Sequence, residues 1–300
     1  MELFEVFEPD CEFLPGETMG SHLQDLHDLC KWLGRYNINT SNSRIAYYIK
    51  FLESFINMSD FSPRVNEEDR AVFDELLYVL REIHELSWIL DGLKQSAPEG
   101  VEELLKVVIG GKNFARDDIK TTARNYQLEL RIASYFLQSS CVVQLNQITD
   151  IVVESPKYRF FVECKRLSSK KKVNSRVREA AKQLNIRLKH KKLKQEFGVA
   201  VFDVTKIAFP HQGLTWGVNN EHGKTVIQEK LQSIWREFDF DIPFKNNKKV
   251  ILIWLQIHIP SLIISTGQPT TRFSSFFYHS SSMKGKGNSA LRELMQHIES

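Results

Sequence analysis

The hydrophobic rhythm of the chain changes at Gly110-Gly111, and that change restricts the architectures open to it. Before the glycines, apolar residues recur at spacings of three and four, the period of one helical face. Leu23, Leu26, Leu29, Cys30 and Leu33 mark a helix over 21–33. The turn-rich stretch 37–43 (NINTSNS) ends in Asn42 and Ser43, either of which can cap a helix over 44–58. A longer helix, 67–93, carries Val72, Leu76, Leu77, Leu80, Ile83, Leu86 and Ile89, and a short one follows Pro98. After the glycines the apolar runs are short and strand-like, at 141–145, 149–153, 159–167 and 198–204. They are interleaved with helices over 117–138, 175–192 and 222–238. The very apolar run 250–259 reads as a central strand. A tail over 265–288 interleaves Phe273, Phe276, Phe277 and Tyr278 with Arg272, Lys284 and Lys286; the three Phe are weighed as core or edge-strand residues against a role in stacking unpaired bases. A last helix covers 289–298. This order predicts an α/β fold, an α-β-β-β-α-β core preceded by an all-α domain, with the boundary between residues 1–112 and 113–300.

Charge divides at the same place. The 300 residues have a formal net charge of +3. Residues 1–112 hold 10 Lys and Arg against 21 Asp and Glu, and residues 113–300 hold 30 against 16. The basic half is expected to meet nucleic acid. The acidic half is expected to dock a partner or a second copy, or to cover the basic groove. The cysteines Cys11, Cys30, Cys141 and Cys164 form no C-x-x-C pair, and they read as reduced thiols. The acidic N-terminus does not resemble a secretory signal. The apolar run 250–264, broken by Gln256, His258 and Pro260, is too short to span a bilayer as a helix. These features predict a cytoplasmic protein without a membrane segment.

The chemistry concentrates in residues 149–167 (TDIVVESPKYRFFVECKRL). Two strands joined at Ser155-Pro156 place Asp150 at the start of one, with Glu163 and Lys165 near the end of the other. A period of two puts Glu163 and Lys165 on one face and Cys164 on the opposite one. If the hairpin pairs tightly, Asp150 approaches Glu163. Two carboxylates so placed repel unless a cation lies between them, and Mg²⁺ prefers carboxylate oxygens. A neighbouring lysine can orient water for attack on a phosphodiester. Taken singly, Glu129 reads as a helix acid paired one turn away, Asp150 as a turn cap and Gln183 as a solvated polar residue. Asp203, at a strand end, reads as turn chemistry or as a further group pointing at the site. His211 and His222 sit in the following loop, solvated or against phosphate. Lys112 after Gly110-Gly111 lacks the spacing of a phosphate-binding loop.

In order, Glu129 in a helix, Asp150 on a strand, Glu163-x-Lys165 on the next and Gln183 in the following helix resemble the PD-(D/E)xK nuclease superfamily, over residues 117–204. Thr149 stands where that family's name has proline. The resemblance implies a restriction-endonuclease-like core and Mg²⁺ or Mn²⁺ held by Asp150, Glu163 and the Cys164 backbone carbonyl. It implies Lys165 as the water-positioning cation, Glu129 as a further acid or second-ion ligand, and Gln183 near the substrate or the lysine. From Lys165 to Lys194, thirteen Lys or Arg stand against Glu179 alone. Lys170, Lys171, Lys172, Arg176, Arg178 and Lys182 are therefore expected to hold nucleic acid. The expected function is a metal-dependent nuclease, with DNA ahead of RNA as substrate. Members of that superfamily often act in prokaryotic restriction or antiviral defence. The alternative is a nucleic-acid-binding or assembly subunit that keeps such a fold without turnover.

Overall fold

The computed structural model describes residues 18–58, 67–118, 122–145, 149–189, 195–210, 214–279 and 285–299. Four helices lead the chain. Helix α1 (Met19–Gly34) begins in a capping box: Ser21 N donates to Thr18 Oγ1 at 3.2 Å, and Thr18 N donates to Ser21 Oγ at 2.9 Å. Ser43 caps α2 (Arg44–Ile56). The long α3 (Glu67–Gln95) carries Glu67, Glu68 and Asp69 in its first turn, favourable against the helix dipole. Helix α4 (Val101–Val108) follows, entered through Gly100 at a positive φ of 81°.

The second part runs α5 (Thr122–Gln138), β1 (Val142–Leu145), β2 (Ile151–Glu154), β3 (Tyr158–Arg166), α6 (Val173–Leu188) and β4 (Gln195–Asp203), the α-β-β-β-α-β order expected from the sequence. It continues through α7 (Thr205–Ala208), β5 (Thr215–Gly217), α8 (Asn220–Glu237), β6 (Val250–Ile263), β7 (Gln268–Tyr278) and α9 (Lys286–Glu299). The mixed sheet has the order β1-β2-β3-β4-β6-β5, and β7 pairs along the other edge of β6. Strands β1, β2 and β3 form an antiparallel meander, while β3, β4 and β6 run parallel. The tail around Phe273 is therefore a strand with a full partner. Phe273, Phe276 and Phe277 are core residues of β7, so of the two weighed roles they fill the packing one.

Helices cover both faces of the sheet. On one face, alternate residues Phe160, Val162 and Cys164 of β3 join a cluster with Leu26, Leu86, Leu130, Phe136 and Trp254. On the other, Phe161 meets Val177, Ala181 and Leu184 of α6, with Phe202 and Leu231. The first cluster runs without a break from α1 to the sheet, so residues on both sides of position 112 share one core. Helix α5 is consequently buried from Gln127 to Leu137, between α3 and the sheet. The two helices approach closely at Gly92, where a Cβ would lie 2.6 Å from the Cβ of Ser134.

Because α5 is enclosed, its polar residues need partners. Arg131 Nη1 lies 2.7 Å from Glu85 Oε1, and Arg124 pairs with Glu82. Arg44 Nη1 reaches Glu82 Oε2 at 3.1 Å, and Arg81 joins both acids, at 3.0 Å to Glu82 and 2.8 Å to Glu85. Part of the acidic charge of the leading helices thus meets the arginines of α5 inside the molecule. Among the described residues no helix is long and apolar enough to cross a membrane. Cys30, Cys141 and Cys164 are free thiols, and Cys11 lies outside the described residues.

Candidate active site

At the carboxyl ends of β3 and β4 the surface opens into a cleft of ≈ 530 Å³. The β2–β3 register pairs Ile151 with Val162, and one step further places Asp150 opposite Glu163. Asp150 Oδ2 accepts a hydrogen bond from the Cys164 backbone N–H at 2.7 Å. That bond fixes the carboxylate at the strand mouth. Lys165 Nζ lies 2.5 Å from Glu163 Oε1 and 3.8 Å from Asp150 Oδ2. Glu163 is 0% exposed, and its Oε2 has no hydrogen-bond partner among the described residues. Glu129 enters from α5, on the sheet face opposite α6, and lines the cleft at 8% exposure. Glu129, Asp150, Glu163 and Lys165 therefore converge.

Electrostatics follow from that convergence. Burial, with Asp150 and Glu163 adding repulsion and Lys165 only partly offsetting them, pushes the Glu129 carboxyl up to about 8. Burial and Asp150 push Glu163 up to about 7, against the pull of Lys165. Burial alone would lower the Lys165 ammonium, yet Asp150 and Glu163 outweigh it and raise the group above its ordinary value. The Cys164 thiol is raised well above its usual range, first by burial and then by the carboxylates around it, so it stays protonated.

The remaining candidates separate. Lys172 and Arg176 line the cleft, and Arg176 pairs with Glu179 at 2.7 Å. Lys170 is tied to Glu237 of α8 at 2.7 Å, while Lys171, Arg178 and Lys182 are exposed away from the lining. Gln183 is not among the lining residues, and its Oε1 is buried without a hydrogen-bond partner among the described residues. Helix α6 starts at the cleft and runs away from it. Lys172, Arg176, Glu179 and Gln183 share one stripe, but Gln183 sits four residues beyond Glu179, roughly 6 Å further along the axis. Glu179 occupies the position at the cleft instead.

Asp203 combines both roles considered for it. Its Oδ1 accepts from Thr205 N at 2.9 Å, it lines the cleft, and its Oδ2 pairs with Arg131 at 3.5 Å and Arg166 at 3.8 Å. His222 starts α8, with its Nδ1 accepting from Val218 N at 3.1 Å, and is not part of the lining. His211 and the basic residues 191–194 lie outside the described residues. Sequence reasoning missed Asp118, Arg166, Glu179 and Lys206, all of which line the cleft. Glu179 carried one signal, as the sole acid within the basic run.

Among the described residues, no group of three or more His, Cys, Asp and Glu side chains is already drawn together in metal-binding geometry. The donor set still suits a hard divalent cation. Three carboxyls meet a single lysine, two of them are pushed up first by burial and then by the neighbouring carboxylates, and a buried carboxylate oxygen of Glu163 has no hydrogen-bond partner among the described residues. No protein-family model, no curated protein and no solved structure matches the chain.

Proposed function

We propose that this chain is a divalent-cation-dependent nuclease with a restriction-endonuclease-like core, hydrolysing phosphodiester bonds in nucleic acid, with DNA placed ahead of RNA. The observation that carries the reading is the meeting of Glu129, Asp150 and Lys165 in a cleft that Lys172 and Arg176 also line, with Glu163 buried against Lys165. Asp150 and Glu163, with the Cys164 carbonyl, are the residues to hold Mg²⁺ or Mn²⁺, and Glu129 is the acid to complete the set. When bound, such an ion supplies Lewis-acid polarisation of a phosphoryl oxygen and lowers the pKa of water.

The chain's own residues do the rest. Lys165 keeps its proton at Nζ, because Asp150 and Glu163 hold it charged, and so presents a fixed cation to a developing negative charge. In the metal-free chain Glu129, raised to about 8, holds a proton at neutral pH, and that proton has to leave before the carboxylate can hold a cation. Lys172 and Arg176 bind the strand through its phosphates, so binding should weaken with salt.

The direct test is Mg²⁺-dependent cleavage of plasmid, single-stranded DNA and RNA by wild type, Glu163→Gln and Lys165→Ala. Each substitution should cost ~10²–10³-fold in rate while binding is retained. Equal cleavage by all three proteins would defeat this assignment. Binding without cleavage by wild type would favour the non-catalytic subunit.

A further inference from the structure

The carboxylate cluster leaves a second group of cleft residues without a role. Arg166 ends β3 and Lys206 sits on α7, just after β4; both line the cleft. The Nε of Arg166 is 3.8 Å from Asp203 Oδ2, an oxygen already shared with Arg131 at 3.5 Å. Its Nη1 is buried and has no hydrogen-bond partner among the described residues. Lys206 Nζ donates to the backbone carbonyl of Asp118, which leaves two of its three ammonium hydrogens for other acceptors. The Asp118 carboxylate itself faces Arg124 at 3.6 Å. Burial and then the neighbouring Arg166 lower the Lys206 ammonium, so the two cations repel each other across a partly buried space. This contrasts with the carboxylate cluster. There several carboxyls share one lysine, whereas here Arg166 shares the Asp203 carboxylate with Arg131, and Lys206 makes no ion pair with a carboxylate among the described residues.

We propose that Arg166 and Lys206 form a phosphate-binding subsite, with Asp203 as the positioning residue that aims the Arg166 guanidinium. Arg166 stands three residues along β3 from Glu163, roughly 10 Å at 3.3 Å per residue. At that spacing the subsite is assigned to a phosphate next to the one being cut. Identifying its carrier as a nucleic-acid strand rests on the nuclease reading, whereas the affinity for phosphate does not. A planar guanidinium with free N–H groups and a nearby ammonium match phosphate oxygens through charge-assisted hydrogen bonds.

The test uses the full chain without added metal, with thermal unfolding followed as inorganic phosphate is titrated at low ionic strength. Phosphate should raise the wild-type Tm. Arg166→Gln and Lys206→Ala should each weaken the apparent phosphate affinity ~10-fold, the scale of one lost charge-assisted hydrogen bond. Lys106→Ala, on α4 and outside the cleft lining, should leave it within ~2-fold. If Arg166→Gln does not fold, Lys206→Ala carries the comparison. No phosphate effect on wild type, or an equal loss in Lys106→Ala, would overturn the subsite. Phosphate binding in a protein that cuts nothing would leave the subsite standing and remove the nuclease reading. Cleavage without phosphate binding would do the reverse. Short oligonucleotides with 5′-hydroxyl or 5′-phosphate ends then separate the sources. A loss shared by both assigns a bridging phosphate, and a loss confined to the phosphorylated strand assigns a terminal one.

Discussion

Glu82 and Glu85 on α3 are as buried as Glu129 and Glu163 at the cleft, and burial by itself raises the pKa of all four. They nevertheless end on opposite sides of the ordinary carboxylate value. Around Glu82, the guanidinium groups of Arg124, Arg81 and Arg44 overcome burial and hold the carboxyl down to about 2; at Glu85, Arg81 and Arg131 likewise outweigh burial and hold the carboxyl well below its ordinary value. Around Glu129 and Glu163 the neighbours are other carboxylates and one lysine, so the carboxyls rise to about 8 and 7. The first region is an ionic network that joins α3 to α5, in which each acid is shared among several arginines. In the second the carboxyls outnumber the one lysine, which is the condition in which a site accepts a cation.

Glu82→Ala should disturb this contrast most. It would leave Arg44, Arg81 and Arg124 buried without their shared acid, and should cost ~3–5 kcal/mol of stability in denaturant unfolding. A loss below ~1 kcal/mol would mean that this network does not hold α3 on α5. Next comes Gly92→Val, which forces a side chain into the Ser134 contact. It should cost ~1–3 kcal/mol while leaving the carboxylate cluster chemically intact. A neutral result there would show that the two helices can part without penalty.

The finer test uses pH. Glu129 in the folded chain keeps its proton up to about 8, whereas an unfolded carboxyl releases it near 4.5. The folded state thus binds more protons in that window, and the metal-free chain should lose stability as pH rises from 4.5 to 8. Glu163 adds the same trend up to about 7. Glu82 works in the opposite sense, contributing stability above 4.5 that is lost as pH falls toward 2. Glu129→Gln should therefore flatten the loss between about pH 6 and 8, by on the order of 1 kcal/mol. Added Mg²⁺ should raise Tm more at about pH 8 than at about pH 6, because it binds the ionised carboxylates. A Mg²⁺ effect that is absent, or larger at the lower pH, would count against the cation site.

Much of the fold was legible because its signals are local. The helix cap at Ser43, the apolar run leading to Glu163 and the helical stripe of α3 are each contained within one element. The hairpin that brings Asp150 to Glu163 is also local, closed by a turn of a few residues. Strand β7 was hidden because its Ser- and Thr-rich sequence, buried beside β6, looks like a polar tail. Glu129 was ambiguous for another reason. Helical periodicity marks one apolar face of α5 but does not reveal that α3 covers the opposite one.

Spacing along short stretches of backbone was enough to set the order of elements, the basic run and the Asp150–Glu163–Lys165 constellation. It took the folded molecule to show that residues 1–112 share a core with residues 113–300. The fold also paired Glu82 and Glu85 with the arginines of α5, and it brought Glu179 rather than Gln183 to the cleft beside Arg166 and Lys206. The difference lies in reach. A charge's partner lies within a few ångströms in space, yet here it can stand 42 residues away, as for Arg124 and Glu82, or 72, as for Arg131 and Asp203, and no local pattern records that distance.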